Sequence, residues 1–313
     1  MLRFVAGRLA ATLPVMGVVA VVVFALLRLA PGDPAAILAG DAATPEQIAA
    51  IRARLGLDEP MLQQFGSWIW RLLHGDLGTS ILSNQPVTRL IGERIEPTLA
   101  LATTTILFAV LVAVPLGVVA AWRHGTWIDR GVMAFSVLGF SVPVFVLGYL
   151  WIFGLAMHLR LLPVQGYVSI TQGFGPFIER LVLPTLTLSA IYIALIARTT
   201  RASVLDVLGE DYIRTARAKG LRESRVLSHH ALRNAAVPVI SVIGIGIALL
   251  ISGVVVTESV FNLPGLGRLT VDAVLARDYP VIQGVILLFS GLYVLINLAI
   301  DLTYLFFDPR IRY

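Results

Sequence analysis

The chain contains no cysteine, which removes disulfide frameworks, thiolate metal sites and cysteine nucleophiles together. Histidine is scarce as well: five scattered residues leave little for a histidine-based metal centre. No G-x-x-x-x-G-K-[ST] loop occurs in the 313 residues, so no nucleotide-binding loop of that kind is present. No Ser/His pair, His-x-x-x-His spacing or carboxylate pair falls within the apolar stretches, which argues against an intramembrane enzyme. Charge is thin too. Only 14% of residues are charged against 57% hydrophobic, with a mean hydropathy of +0.85, and a water-soluble core of this size has no room for that much apolar surface. The solvent for much of the chain must be lipid. A net charge of +5 and a pI near 9.9 would point a soluble protein toward nucleic acid; in a membrane protein basic residues mark cytoplasmic helix ends, and no nucleic-acid partner is expected.

About 20 consecutive apolar residues cross a bilayer, and six stretches near that size stand out, at 9–27, 99–122, 131–158, 181–197, 237–257 and 281–300. The first follows Arg3 and Arg8 and mimics a signal peptide, but it is longer than the usual apolar core of one and further spans follow, so it reads as a retained helix. With the N-terminus inside, the cytoplasmic segments hold Arg3, Arg8, Arg123, Arg130, Arg198, Arg201, Arg214, Arg217, Lys219, Arg222, Arg225, Arg233, Arg310 and Arg312. These far outnumber the acids of the same segments, Asp129, Asp206, Glu210, Asp211, Glu223 and Asp308. The outer segments carry more acids than arginines, so both termini are expected in the cytoplasm.

Two helices are expected in the first outer loop. Thr44-Pro45-Glu46-Gln47 supplies a capping hydroxyl, a proline at the first helical position and a glutamine at the reciprocal position, and Gly56 marks the stop, giving a helix over 45–55. A second runs over 60–74, where Met61, Phe65, Trp68, Ile69 and Leu72 form an apolar stripe before Gly75. That stripe fits either the membrane interface or the transmembrane bundle. The outer loops 159–180 and 261–280 are rich in Gly and Pro and too polar to span, and are candidate lids or docking surfaces.

The most specific segment is cytoplasmic, within 201–236. Tyr212, Ala216 and Lys219 are spaced along one helical face and Gly220 provides the position that lets the chain turn, so a short helix, a turn and a second helix are expected. Here the sequence resembles permease subunits of ATP-binding-cassette importers in the dipeptide, oligopeptide and nickel family. That superfamily carries a Glu-Ala-Ala-x-x-x-Gly loop with a later Ile-x-Leu-Pro, and its first helix docks in a cleft of the ATPase. Gly220 matches the glycine and Ala216 the second alanine, whereas Arg214, Thr215 and Arg233 replace the Glu, the first Ala and the Pro. Arg214-Thr215-Ala216 with Lys219-Gly220-Leu221, followed by His230-Ala231-Leu232-Arg233-Asn234, looks like the peptide-permease version.

The resemblance covers the whole chain. Leu29-Ala30-Pro31-Gly32-Asp33-Pro34, Leu55-Gly56-Leu57-Asp58 with Gly75-Asp76-Leu77-Gly78, Glu258 to Gly267 and Asp308-Pro309-Arg310-Ile311-Arg312 fall in the order seen in the first of two permeases in such systems. It implies an all-α, six-span type I importer fold, divided into 1–96 (first span and outer helical loop) and 97–313 (permease domain). It implies a prokaryotic cytoplasmic membrane, a second related permease, two ATPase subunits that bind ATP and Mg, and an extracytoplasmic solute-binding protein. No catalytic residue, metal or cofactor is expected in this chain. Tyr212, Arg214, Thr215, Ala216, Lys219, Gly220 and Leu221 are the implied ATPase-coupling helix. Peptides, nickel complexes, glutathione and oligosaccharides are all carried within the family. A secondary transporter is the alternative, but no charged or broken-helix site near the midplane speaks for it.

Several residues keep two readings. From charge alone, Arg214 to Arg225 is a topology signal with attraction for anionic membrane lipid; the ordered motif adds ATPase docking. Asp301 belongs either to a solute pathway or to the interface at a helix end. Glu258 is either a charge at an outer gate or binding-protein surface, or a structural partner for an arginine such as Arg268. Small residues such as Gly139, Gly244 and Gly253 line a polar path or allow close helix packing.

Overall fold

The computed structural model describes residues 2–29, 34–39, 43–54 and 56–307. Ala30 to Asp33, Leu55 and the terminal segment from Asp308 lie outside them, and so do the family fragments they carry. In chain order the elements are α1 (Leu2–Leu29), α2 (Pro34–Ala39), α3 (Pro45–Arg54), α4 (Met61–Leu73), α5 (Val87–Trp122), α6 (Trp127–Ser141) and α7 (Val144–Trp151), the last running into a π-helical turn at Ile152–His158. After a 3₁₀ turn at Ile170–Gln172 come α8 (Phe174–Leu208), α9 (Asp211–Ala218), α10 (Glu223–Arg225), a second π-helical turn (Val226–Ala231), α11 (Leu232–Asn234), α12 (Ala236–Val260), α13 (Leu266–Leu275) and α14 (Tyr279–Phe307). Among the described residues there is no strand beyond one isolated bridge between Thr79 and Pro86.

By length and composition, four helices among the described residues can cross a membrane: Val87–Trp122, Phe174–Leu208, Ala236–Val260 and Tyr279–Thr303. The apolar part of α1, Ala10–Ala25, is shorter. The stretch 131–158, expected as one continuous span, is instead α6 and α7 bent by 104°. Proline explains the break. Pro143 has no N–H to give to the helix and crowds the residue before it, and Val142 is accordingly extended at φ −91° and ψ 123°. The 261–280 loop also differs from expectation, because it contains α13.

One compact unit comprises residues 1–93 and 270–292. Its α3 starts as the sequence dictates: the Thr44 N–H donates to Gln47 Oε1 (2.9 Å) and the Gln47 N–H to Thr44 Oγ1 (3.4 Å), a reciprocal cap. The stripe of α4 turns Phe65 and Trp68 onto Phe24 of α1, with ring centroids 5.2 and 5.7 Å apart. Gly75 ends α4 at φ 77° while its own N–H and that of Asp76 return to Leu72 and Arg71 carbonyls, each at 3.0 Å. Asp278 is buried and accepts from Ser80 Oγ and, at 3.1 Å, from the Ile81 N–H, which holds the 78–86 turn against the start of α14.

The other unit, residues 94–269 and 293–313, is built round α8, against which α6, α7 and α12 pack. Leu181, Leu188, Ile196, Val254 and Phe261 form its buried centre. Glycines set the helix spacing. A Cβ on Gly139 would come 2.9 Å from Ala194 Cβ, and one on Gly253 2.7 Å from Leu188 Cδ1. One on Gly244 would lie 2.7 Å from Ile300 Cδ1. The packing reading of these small residues is therefore the one the geometry favours.

Candidate functional site

The 201–236 segment folds as a short helix, a turn and a second helical stretch. α9 closes with a left-handed glycine: Gly220 sits at φ 76°, its N–H reaches the Arg217 carbonyl at 2.9 Å, and the Leu221 N–H reaches Ala216 O at 3.3 Å. Arg217 and Glu223 pair across that turn at 2.7 Å, and the bonded carboxylate holds the guanidinium above its ordinary pKa. Tyr212 Oη accepts from Asn234 Nδ2 at 2.9 Å, which ties the start of α9 to α11.

The spacing of Tyr212, Ala216 and Lys219 does not produce one exposed face. Ile213 (0% exposed) and Ala216 (7%) turn inward onto the π-helical turn Val226–Ala231, while Tyr212 and Lys219 remain exposed. The outward face carries Asp211, Arg214, Thr215 and Ala218. Ala216 is small because α9 sits close on its own chain. Gly220 and Arg222 are exposed and Leu221 is half-buried.

Just upstream, the C-terminal end of α8 is fastened to the α5–α6 turn. Asp129 is buried and accepts from Arg201 through Nε and, at 2.8 Å, through Nη2. The Gly125 N–H adds a bond at 3.0 Å, and His124 Nδ1 lies 3.1 Å from Asp129 Oδ2. Charge counting puts Asp129 and Arg201 among the topology residues; their separation of 72 positions hides the pair from any local motif. On the opposite side of the unit, Glu96 accepts from Tyr167 Oη (3.0 Å), Ser169 Oγ (2.7 Å) and the Ile170 N–H (3.2 Å), which pins the 159–173 loop to α5. Burial, and next the Glu96 carboxylate, push the Tyr167 hydroxyl well above its ordinary pKa.

Glu258 is the most buried acid of the site, at 0% exposure. Thr98 Oγ1 of α5 donates to its Oε1 at 2.5 Å and in turn accepts the Leu266 N–H at 2.8 Å. Its Oε2 accepts the Arg268 N–H at 3.0 Å. The carboxylate thus caps the first turn of α13 from the end of α12, where free N–H groups and the helix dipole favour an anion. Gly265 lies against that carboxylate with no room for a Cβ, and Asn262 takes φ 53° so that the Leu263 N–H can return to Glu258 O at 2.9 Å. Of the two readings of Glu258 the geometry favours the structural one, although it is the backbone N–H of Arg268, not the guanidinium, that Oε2 engages. Sequence reasoning passed over Thr98 because a threonine inside an apolar helix carries no local signal.

Asp301 is half-buried in α14, within two turns of Phe307. An apolar groove of about 460 Å³ opens beside the α6–α7 bend, lined by Phe140, Val144, Leu188, Tyr192, Leu249 and Val256 among others. Among the described residues no cluster of His, Asp or Glu could hold a metal ion.

A helical unit organised round one long central helix, with a bent apolar helix pair and a short, firmly seated helix on the turn that follows α8, has the make-up of a multi-pass membrane protein. Residues 113–313 match the family described as binding-protein-dependent transport system inner membrane component, and residues 1–102 match the N-terminal region of such membrane components. A probable peptide ABC transporter permease of Sinorhizobium fredii is 54% identical over 310 residues, covering 99% of each chain. A putative peptide transport system permease of Brucella abortus is 46% identical over 313 residues, covering 100% of each. The dipeptide transport system permease DppB of Escherichia coli is 42% identical over 337 residues, covering 100% of this chain and 99% of that one. Among solved structures, an inward-facing MetNI methionine ABC transporter chain superposes with a TM-score of 0.59 at 19% identity, covering 71% of this chain and 97% of that one, a likeness of fold.

The chain belongs to the family of binding-protein-dependent transport system inner membrane components. The resemblance drawn from the ordered fragments is borne out, and with it the all-α type I importer fold. The chain is a permease subunit of an ABC transporter and works alongside the other components of that system; it is not the subunit that hydrolyses ATP.

Proposed function

We propose that the chain forms half of the translocation pathway of an ATP-driven importer for peptides or peptide-like solutes. The observation that carries this is the 54% identity, end to end, with a probable peptide permease. The rest of the pathway belongs to a second, related permease; two ATPase subunits bind ATP and Mg, and an extracytoplasmic binding protein delivers the solute. α9 is the segment that docks on an ATPase, with Asp211, Arg214, Thr215 and Ala218 facing it. Short length, a sharp glycine stop and the bonds of Tyr212 and Arg217 support that reading, because a docked helix transmits motion only if it is held rigidly on its own chain. The Asp129–Arg201 pair then passes that motion from α8 to the α5–α6 turn. The apolar groove beside the α6–α7 bend is a wall of the pathway.

Six spans with both termini in the cytoplasm complete the proposal: the four long helices, the bent pair and α1. The chain divides into residues 1–96 and 97–313, a division supported by two family matches that end at 102 and begin at 113. Without native cysteines, labelling tests the topology directly. Cysteines at Ala43 and Gln172 should react with an impermeant reagent from outside, and one at Ser224 should not; outside labelling of Ser224 overturns the orientation.

Assembly is tested by pulling the tagged chain from its native membrane. A second permease and two ATPases should come with it, and vesicles holding that complex and its binding protein should take up short peptides on addition of ATP. A homodimer that transports at full rate counts against the pairing. Uptake of nickel complexes or glutathione with no response to peptides reassigns the solute.

A further inference from the structure

Apolar residues of α4 do not all find a protein partner. Phe65 and Trp68 face Phe24 of α1, and the polar side, with Gln63, Gln64, Ser67 and Arg71, borders a cavity of about 650 Å³ within the same unit. The flank beside Phe65 is largely uncovered: Leu62 is 88% exposed, Leu73 76% and Trp70 65%, the last touching only the His74 ring, 4.4 Å away, among the ring contacts of the described residues. On an α-helix these positions form one continuous strip.

The level of α4 relative to α1 says what covers that strip. Phe24 lies inside the apolar run Ala10–Ala25. It is five residues short of Leu29, roughly 7.5 Å at the rise of an α-helix. A helix stacked on Phe24 therefore rides beside the end of the apolar run and not above it. Water is a poor solvent for two leucines there. The strip also has the make-up of an interfacial surface, with leucines for the acyl boundary and a tryptophan whose ring suits the headgroup level.

We propose that the Leu62, Trp70 and Leu73 flank of α4 lies in the lipid headgroup and upper acyl region of the leaflet at the C-terminal end of α1. α4 is then an in-plane anchor that fixes the outer segment at the bilayer surface, with its polar side over the cavity. The proposal rests on the reading of α1 as a span.

Single cysteines at Leu62, Trp70 and Leu73, spin-labelled in the full chain with its co-purified partners, test it in vesicles of phosphatidylethanolamine and phosphatidylglycerol. Ala43→Cys serves as the aqueous standard and Val18→Cys, on the exposed side of α1, as the lipid standard. Collision with oxygen, which concentrates in lipid, should exceed collision with a water-soluble nickel chelate several-fold more at Leu62 and Leu73 than at Ala43, with values short of Val18. Chelate access equal to that of Ala43 overturns the proposal, because the strip then faces water. Shielding from both reagents overturns it too, since a protein then covers the strip. An aqueous reading at Val18 sinks the span and the anchor together, whereas an aqueous Leu62 beside a lipid-exposed Val18 sinks the anchor alone.

Discussion

Glu258→Ala should leave far less folded permease in the membrane, with transport falling in step with abundance. The substitution strips an acceptor from the Thr98 hydroxyl and from the Arg268 N–H in a site from which water is excluded. Each orphaned group costs about 1–3 kcal/mol, and the void left by the carboxylate adds to that. Glu258→Gln keeps the volume but turns an amide toward donors, so it should fall between alanine and the native residue. Thr98→Val, which removes the hydroxyl that joins the Leu266 N–H to the Glu258 carboxylate, should resemble Glu258→Gln. Gly265→Ala should be as damaging as Glu258→Ala, because a Cβ there has no room beside the carboxylate. Quantifying membrane-inserted permease and its thermal unfolding in detergent, together with uptake per molecule, separates the two readings of this acid. Normal abundance and stability with altered solute selection in Glu258→Ala would make it a gate charge and dispose of the helix-cap account.

The features legible in the sequence were those written in a few adjacent residues. Thr44 with Gln47 announces a helix start because two side chains three apart satisfy each other's backbone. Gly75 and Gly220 announce helix stops because the left-handed conformation there suits a residue without a Cβ. Spans were legible as apolar runs, yet such a run says nothing about backbone continuity. The bend lies in a largely apolar stretch in which one interior proline, Pro143, is its only local mark. Long-range pairing was invisible for another reason. Asp129 with Arg201, Thr98 with Glu258 and Ser80 with Asp278 are set by how helices pack, and neither partner carries a local mark of the other.

Ala216 shows where helical periodicity runs out. A wheel drawn on α9 groups Tyr212, Ala216 and Lys219, but it cannot say which side of the helix the rest of the chain occupies. The structure answers with Ile213 and Ala216 inward. Lys219, at the C-terminal cap, leaves the stripe because the helix stops there. Smallness at position 216 therefore serves contact within the chain, and the residue that keeps the outward face smooth is Ala218.

Ala218→Trp should accordingly leave the permease inserted and at normal abundance while abolishing most transport and the stimulation of ATP hydrolysis by loaded binding protein. A bulky ring on the outward face of the proposed docking helix that removes about 2–3 kcal/mol of docking weakens it about 30-fold to 150-fold. Ala216→Trp should act by another route. Overpacking the seat of α9 against the π-helical turn costs about 1–3 kcal/mol, so proteolytic sensitivity of the 201–236 segment should rise and coupling should fail as a consequence. Gly220→Val, which forces a β-branched residue into φ 76°, should resemble Ala216→Trp. Arg222→Gln should change little, because Arg222 is exposed and only one of the loop's many cations is lost. All four variants can be compared in vesicles with ATPase activity, uptake and limited proteolysis measured on the same preparation. Should Ala218→Trp transport normally while Ala216→Trp loses coupling without any change in proteolysis, the ATPase must engage the other side of α9 and the outward-face assignment fails. Should Arg222→Gln be the variant that fails, the loop acts through its charge and α9 is not a docking helix.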